Sequence, residues 1–185
     1  MYTTEMLSKL FAPEPIGVLS LTLLLLAFQR NDWSKDSVSP PNQASQESQD
    51  INYGLFSMCT SAITDQKDGW MSCMEYKDSG SVDAIKQLFG SNEDMFKVVQ
   101  KSAFFSYIAL ALALVLSSMG VKMSKWLYVL AALSSVFVSS MWYLKFKSPV
   151  PEDKLHINSD VGTGYYLEVA GMLLSVVSAF LAYRG

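Results

Sequence analysis

The chain has 185 residues, half of them hydrophobic and 17% charged, with a formal net charge of −3. A weakly acidic chain without a basic run or a glycine-rich phosphate loop carries no footprint for nucleic acid or nucleotide binding. One histidine and two cysteines fall short of any zinc spacing, and no nucleophile–base pair is visible. No catalytic residue, metal ligand or cofactor is therefore expected, and a soluble enzyme is a poor fit.

A mean hydropathy of +0.22 is high for a soluble domain but modest for a membrane protein, so a membrane protein here must carry a sizeable polar part. The first apolar segment, residues 10–29, has the uncharged inner run IGVLSLTLLLLAF. Pro13, Glu14 and Pro15 interrupt its approach, and Pro15 suits a first helical turn, where a missing N–H has no partner to lose. A cleaved signal peptide is the rival reading, supported by Lys9 ahead of the apolar run. AFQRND offers no small-x-small cleavage site, so a retained helix is expected.

A long polar connection, residues 30–97, follows. SVSPPNQASQESQD, rich in Ser, Gln and Pro, reads as a loop tip. In INYGLFSMCTSAI, Ile51, Tyr53, Leu55 and Cys59 alternate, with some slippage, against polar or small neighbours. GWMSCMEY alternates in the same way, so two strands joined by TDQKDG are expected to bring Cys59 and Cys73 together across the pair. Two thiols in a polar loop make sense as a disulfide in an oxidising compartment; the other reading is two reduced cytosolic cysteines. Closing a ring of this size constrains the unfolded chain by roughly 3 kcal/mol, and a sheet too small for its own core needs such a staple. Farther on, SVDAIKQLFGSNEDMFKVV is expected to form a helix, with Ser81 as cap, Asp83 in the first turn, and Ala84, Ile85, Leu88 and Phe89 on one face. Gly90 would end it.

Three more apolar segments follow, at residues 98–119, 126–144 and 161–183, separated by the tight turn GVKMSK and a short loop at residues 145–160. Each approaches the ~20 residues that cross ~30 Å of hydrocarbon at ~1.5 Å per residue. Trp126, Trp142, Tyr143, Tyr165 and Tyr166 fall near span ends and are expected to anchor at the interface. Glu168 lies a turn or two inside the last span, where a carboxylate costs ~1–3 kcal/mol unless paired, protonated or wet. It could make a polar contact inside the bundle or with a partner protein. The plainer expectation is a place near the headgroups, satisfied by Lys101 or by water. Gly171, Ser175 and Ala179 recur every four residues and would let helices approach closely, inside the bundle or against a partner. His156, beside Glu152 and Asp153, reads as a surface histidine. The long loop is predominantly acidic, which in a barrier would favour cations and otherwise serves only solubility.

Lysine and arginine counts flanking the spans would, if anything, place both termini outside. Taken together, four spans, a long first loop and a short second one, Trp33, then Gly54-Leu55-Phe56, two residues, Cys59 and later Cys73 resemble the claudin superfamily. That group comprises claudins, peripheral myelin proteins and gamma-type channel and receptor subunits, and its signature is W…GLW-x-x-C…C. Trp33 matches the lone Trp, Phe56 stands for the second Trp, and Cys59 and Cys73 match the disulfide pair. The second cysteine is several residues farther on than in claudins, and only Lys97 or Lys101 stands for the arginine before span two. The end LAYRG lacks the scaffold-binding tail.

The resemblance implies a membrane all-α four-helix transmembrane bundle, residues 1–185, topped by a small disulfide-linked antiparallel β-sheet in the first extracellular loop. It also implies a multi-pass protein of the plasma membrane with both termini cytoplasmic, against the charge count. Its partners would be the lipid bilayer and either itself, in lateral or trans oligomers, or a larger channel or receptor. The function implied is non-enzymatic association at cell contacts, with an auxiliary role on an ion channel or receptor as the alternative.

Overall fold

The computed structural model describes residues 12–38, 49–62, 71–75, 93–146 and 157–184. The described chain is mostly helical. Helix α1 runs Pro13–Gln29, opened by proline and by Glu14 in its first turn, where a carboxylate faces the positive end of the helix dipole. It is followed by strands β1 (Ser34–Val38), β2 (Gln49–Tyr53), β3 (Ser57–Ala62) and β4 (Met71–Glu75). Helices α2 (Glu93–Ser118) and α3 (Ser124–Met141) come next, and α3 continues through a π-helical turn, Trp142–Phe146. Strand β5 (Ile157–Val161) leads into α4, Thr163–Arg184.

Three helical stretches, Asp94–Ser118, Ser124–Lys145 and Thr163–Arg184, are long and apolar enough to cross a membrane. The fourth, Pro13–Gln29, is apolar but shorter. At 17 residues it reaches about 26 Å at the helical rise. Helix α2 begins five residues above the expected span, because its first turns turn Phe96, Val99 and Ala103 inward. The Ser81–Gly90 helix, the 37–50 loop tip beyond its terminal strand residues, the TDQKDG turn and the His156 site lie outside the described residues.

Helix α2 stops at the GVKMSK turn for a local reason. Gly120 takes a positive φ of 71°, the left-handed conformation that glycine adopts without steric cost. The Val121 N–H then donates to the Leu116 carbonyl at 2.9 Å, and the Gly120 N–H to that of Ser117, also at 2.9 Å. This paired reversal satisfies carbonyls that a helix end leaves bare, and it lets α3 return antiparallel after only a few residues.

The five strands form one antiparallel sheet in the order β4-β3-β2-β1-β5. Cys59 and Cys73 are direct register partners on β3 and β4 and are joined as a disulfide, as the alternation predicts. The expectation of a sheet confined to the first loop needs correction. Strand β5 comes from the second loop and pairs with β1 from Ser34↔Val161 to Val38↔Ile157. Without it β1 would present an open edge of unpaired backbone groups.

The helices carry a larger apolar periphery than those of a soluble bundle, around an interior rich in small and hydroxyl side chains. Many buried positions are small or polar, among them Gly17, Ser20, Ser106, Ala109, Ala113, Ala131, Ala132, Ser135, Ser139, Gly171, Ser175, Ser178, Ala179 and Ala182, and larger residues such as Leu24, Leu110, Tyr128 and Val138 fill the space between them. Outward positions are large and apolar, among them Leu19, Leu25, Phe104, Phe105, Ile108, Leu112, Leu133, Leu173 and Phe180. Small residues let backbones approach, and the periphery then carries the bulk.

Candidate functional site

The residues singled out in the sequence fall into two places. Trp33, Gly54, Leu55 and Phe56 meet where the sheet sits on the helix ends. Glu168, Gly171, Ser175 and Ala179 line the interior along α4.

At the junction, Trp33 is fully buried. Its indole N–H donates to the Ala27 carbonyl at the end of α1, at 2.7 Å. Its backbone N–H donates to Tyr53 on β2 at 2.8 Å, and its carbonyl accepts from Gly162 at 3.0 Å. One residue thus ties α1, β2 and the β5–α4 link together. Its ring meets the Trp142 ring edge-on, 5.0 Å between centroids, and Trp142 in turn lies 6.1 Å from Phe96 and donates to the Ser34 hydroxyl at 2.9 Å.

Two glycines allow this approach. A Cβ on Gly164 would stand 2.6 Å from Trp33 Cδ1, and one on Gly162 would overlap the Asp32 carbonyl.

The Gly54-Leu55-Phe56 triplet turns β2 into β3, with the Gly54 N–H donating to the Ser57 carbonyl at 2.8 Å. A Cβ on Gly54 would lie 2.7 Å from Asn31 Cα, so glycine is required by backbone proximity. Leu55 is buried in the core, and its carbonyl accepts from the Gln100 side chain of α2 at 2.6 Å. Phe56 lies 4.5 Å from Phe28 of α1, and Phe28 reaches Tyr107 of α2 at 5.3 Å. The triplet therefore seats the sheet on α1 and α2, while Cys59 is buried beneath it and Cys73 is exposed.

Trp142 is not an interface anchor. It extends the buried stripe Tyr128, Ala131, Ser135, Val138, Ser139 by one further turn, a period visible in the sequence, and packs inward. Trp126, Tyr143 and Tyr166 are exposed, as anchors would be.

An ion pair that the sequence reading missed guards the same junction. The Arg30 guanidinium donates to both Asp32 carboxylate oxygens, at 2.9 and 3.0 Å, and Lys35 Nζ stands 3.6 Å away. Burial pushes the Asp32 carboxyl up, but the hydrogen bonds and charge of Arg30, with Lys35 adding to them, outweigh it and hold the group below the usual carboxylate range. These residues, with Gln29, Asn31 and Asn52, line an open cavity of about 380 Å³.

On α4, Glu168 is fully buried, which corrects the headgroup expectation. Its Oε2 accepts from the Tyr107 hydroxyl at 3.3 Å, while Lys101 is exposed and makes no ion pair with it. Helix periodicity puts position 168 on the same face as Gly164, Gly171 and Ser175, and that face is the interior. Gly171 receives Leu24, whose Cγ and Cδ2 would stand 2.8 Å from an added Cβ, and its carbonyl accepts from the Ser20 hydroxyl at 2.7 Å. Ser175 and Ala179 are likewise buried, so this stripe packs inside the bundle. Between α1 and α2 a purely apolar groove of about 290 Å³ remains, lined by Leu21, Leu25, Phe28, Phe104, Tyr107, Ile108 and Ala111.

The chain matches no known protein-family model and no curated protein.

Proposed function

We propose that this chain is a claudin-like, non-enzymatic integral membrane protein of the plasma membrane, acting by protein–protein association at cell contacts. All four helices span the bilayer, the sheet lies outside and both termini lie in the cytosol. The observation that carries the reading is the broad outer face of Leu, Phe, Val and Ile around a bundle interior rich in Ser, Gly and Ala that also holds Glu168. In water so broad an apolar periphery would drive aggregation; in lipid it costs nothing. The Cys59–Cys73 bridge supports an oxidising exterior for the sheet. The Trp33 and Gly54-Leu55-Phe56 seat supports the resemblance to claudins. It holds the sheet as a rigid platform, and a rigid surface loses little entropy when a partner binds.

A second reading, an auxiliary subunit on a channel or receptor, is favoured by one feature. The apolar groove between α1 and α2 opens on the outer face and offers a partner's helix a place to lie. Affinity purification from native membranes in a gentle detergent, with particle mass and mass spectrometry, separates the two. Ladders of the chain alone support self-association at contacts. Stoichiometric recovery of a larger channel or receptor sinks that reading in favour of the auxiliary one.

A further inference from the structure

Serines within helices normally hand the hydroxyl to a carbonyl one turn back, as Ser106 and Ser118 do at 2.8 and 2.7 Å. Two serines of α3, Ser135 and Ser139, do not. Each hydroxyl is buried and finds no hydrogen-bond partner in the protein. Glu168 Oε1 is in the same position.

The register of the two helices brings these three residues to one level of the bundle. Helices α3 and α4 run antiparallel, and the Tyr165 hydroxyl donates to the Ser139 carbonyl at 3.3 Å, which sets their register. Glu168 lies three residues below Tyr165 on α4, about 4.5 Å, and Ser135 lies four residues below Ser139 on α3, about 6 Å. Side chains lean toward the helix N-terminus, which lifts the Glu168 carboxyl to the height between the two serines. Elsewhere around Glu168 the polar groups are used. Ser20 of α1 is committed to the Gly171 carbonyl and Tyr107 of α2 to Oε2. Ser175 Oγ, two turns farther along α4 and about 10 Å away, is also buried without a partner; at the level of Glu168 itself the α3 side is left.

The charge has no protein counter-ion either. Among the described residues no Lys, Arg or His forms an ion pair with Glu168. The titratable neighbours are the phenols Tyr107 of α2 and Tyr165 of its own helix, while α1 packs Ser20 and Leu24 against Gly171 one turn away and α3 carries Ser135 and Ser139 at the same level. Leaving an isolated carboxylate ionised among them costs far more than taking up a proton.

We infer that Glu168, Ser135 and Ser139 form a buried hydration site, in which internal water accepts the proton of a neutral Glu168 carboxyl and donates to the serine hydroxyls. Three convergent polar atoms match the two to four partners that an internal water requires. Tyr107 O–H donates to Oε2, Oε1–H donates to a water, that water's two protons go to the serine oxygens, and the serines' own O–H protons go to further water in the same site. The site makes the middle of the bundle wet, and its proton exchanges with bulk solvent.

The test is infrared spectroscopy of the full chain in lipid nanodiscs at neutral pH. The site requires a carboxylic-acid carbonyl band that Glu168→Gln abolishes and that shifts after transfer of the folded protein to D2O. It also requires that Ser135→Ala or Ser139→Ala moves the band, since each removes a partner of the water. Absence of a Glu168-dependent band means an ionised carboxylate and overturns the inference. So does a band indifferent to D2O, or to both serine substitutions. Should a variant fail to accumulate, [13C]glutamate labelling of the unaltered chain identifies the glutamate band and its D2O shift by themselves.

Discussion

Replacing Gly164 by alanine puts a methyl group 2.6 Å from Trp33 Cδ1 and 2.9 Å from Arg30 Cβ. Neither contact can yield cheaply. Trp33 is fixed by its hydrogen bond to Ala27 and its edge-on contact with Trp142, and Arg30 Cβ is tied directly to its backbone. Overpacking of this kind costs about 1–3 kcal/mol. Trp33→Ala alone should cost about 3–5 kcal/mol, the range for a buried aromatic truncated to alanine. The Ala27 carbonyl adds little to that, because it also accepts from the Arg30 N–H at 3.1 Å and is not orphaned. In the double variant the ring is gone and the Gly164 methyl fills part of its space, with only the Arg30 contact remaining. The two costs should therefore fall short of additive by about 1 kcal/mol, above the ~0.3–0.5 kcal/mol scatter of independent sites. Reversible denaturation of the four proteins in one detergent, followed by tryptophan fluorescence where Trp33 is present and by circular dichroism throughout, gives the cycle. Strict additivity would refute the packing of α4 against Trp33.

Exchanging Cys59 and Cys73 together for serine should lower stability by roughly 3 kcal/mol through the lost ring constraint, read as a shift in denaturation midpoint. Maleimide reagents should label neither cysteine of the unaltered protein before reduction. The Asp32 carboxyl, held below its ordinary value of 3.8, contributes stability that is present above that pH and is lost as the pH falls through the lower folded-state value. Acid titration of the unfolding midpoint should therefore show a decline below about pH 4 that Asp32→Asn flattens; an identical acid limb in the variant removes the pair from the account. Gly171→Leu forces its side chain against Leu24 and should destabilise the bundle by about 1–3 kcal/mol or part α1 from α4, visible as faster proteolysis of α1.

How much of this was legible beforehand depends on the range of each interaction. The Cys59–Cys73 pairing was readable because two alternating stretches and a polar turn lie within one short segment. The α2–α3 reversal was readable for the same reason, as glycine in a short polar turn. Strand β5 was not: INSDV carries little apolar alternation, and its pairing with β1 depends on a segment more than a hundred residues away. Trp142 was misplaced because proximity to a span end outweighed its place on the Tyr128–Ser139 stripe, which marked it as inward-facing. The expectation of a headgroup place for Glu168, satisfied by Lys101 or by water, rests on its nearness to a span end. Its real partner, Tyr107, sits on another helix and carries no charge to attract notice. Arg30 and Asp32 stand two residues apart in plain view, but a local ion pair is indistinguishable from solvated charges until Gly162 and Gly164 pack against their backbone and Cβ.

The pairing of β1 with β5 also bears on synthesis. Some 125 residues separate the two strands, so at about 5–20 residues per second roughly 6–25 s pass between their emergence from the ribosome. During that interval β1 can lean only on β2, and its other side offers bare N–H and C=O groups to any extended chain nearby. A nascent chain arrested after α3 would keep that edge open indefinitely. Synthesis of β5 is thus what seals β1, and a quality-control factor that recognises open strand edges would find its target on chains in which β5 has not yet been made.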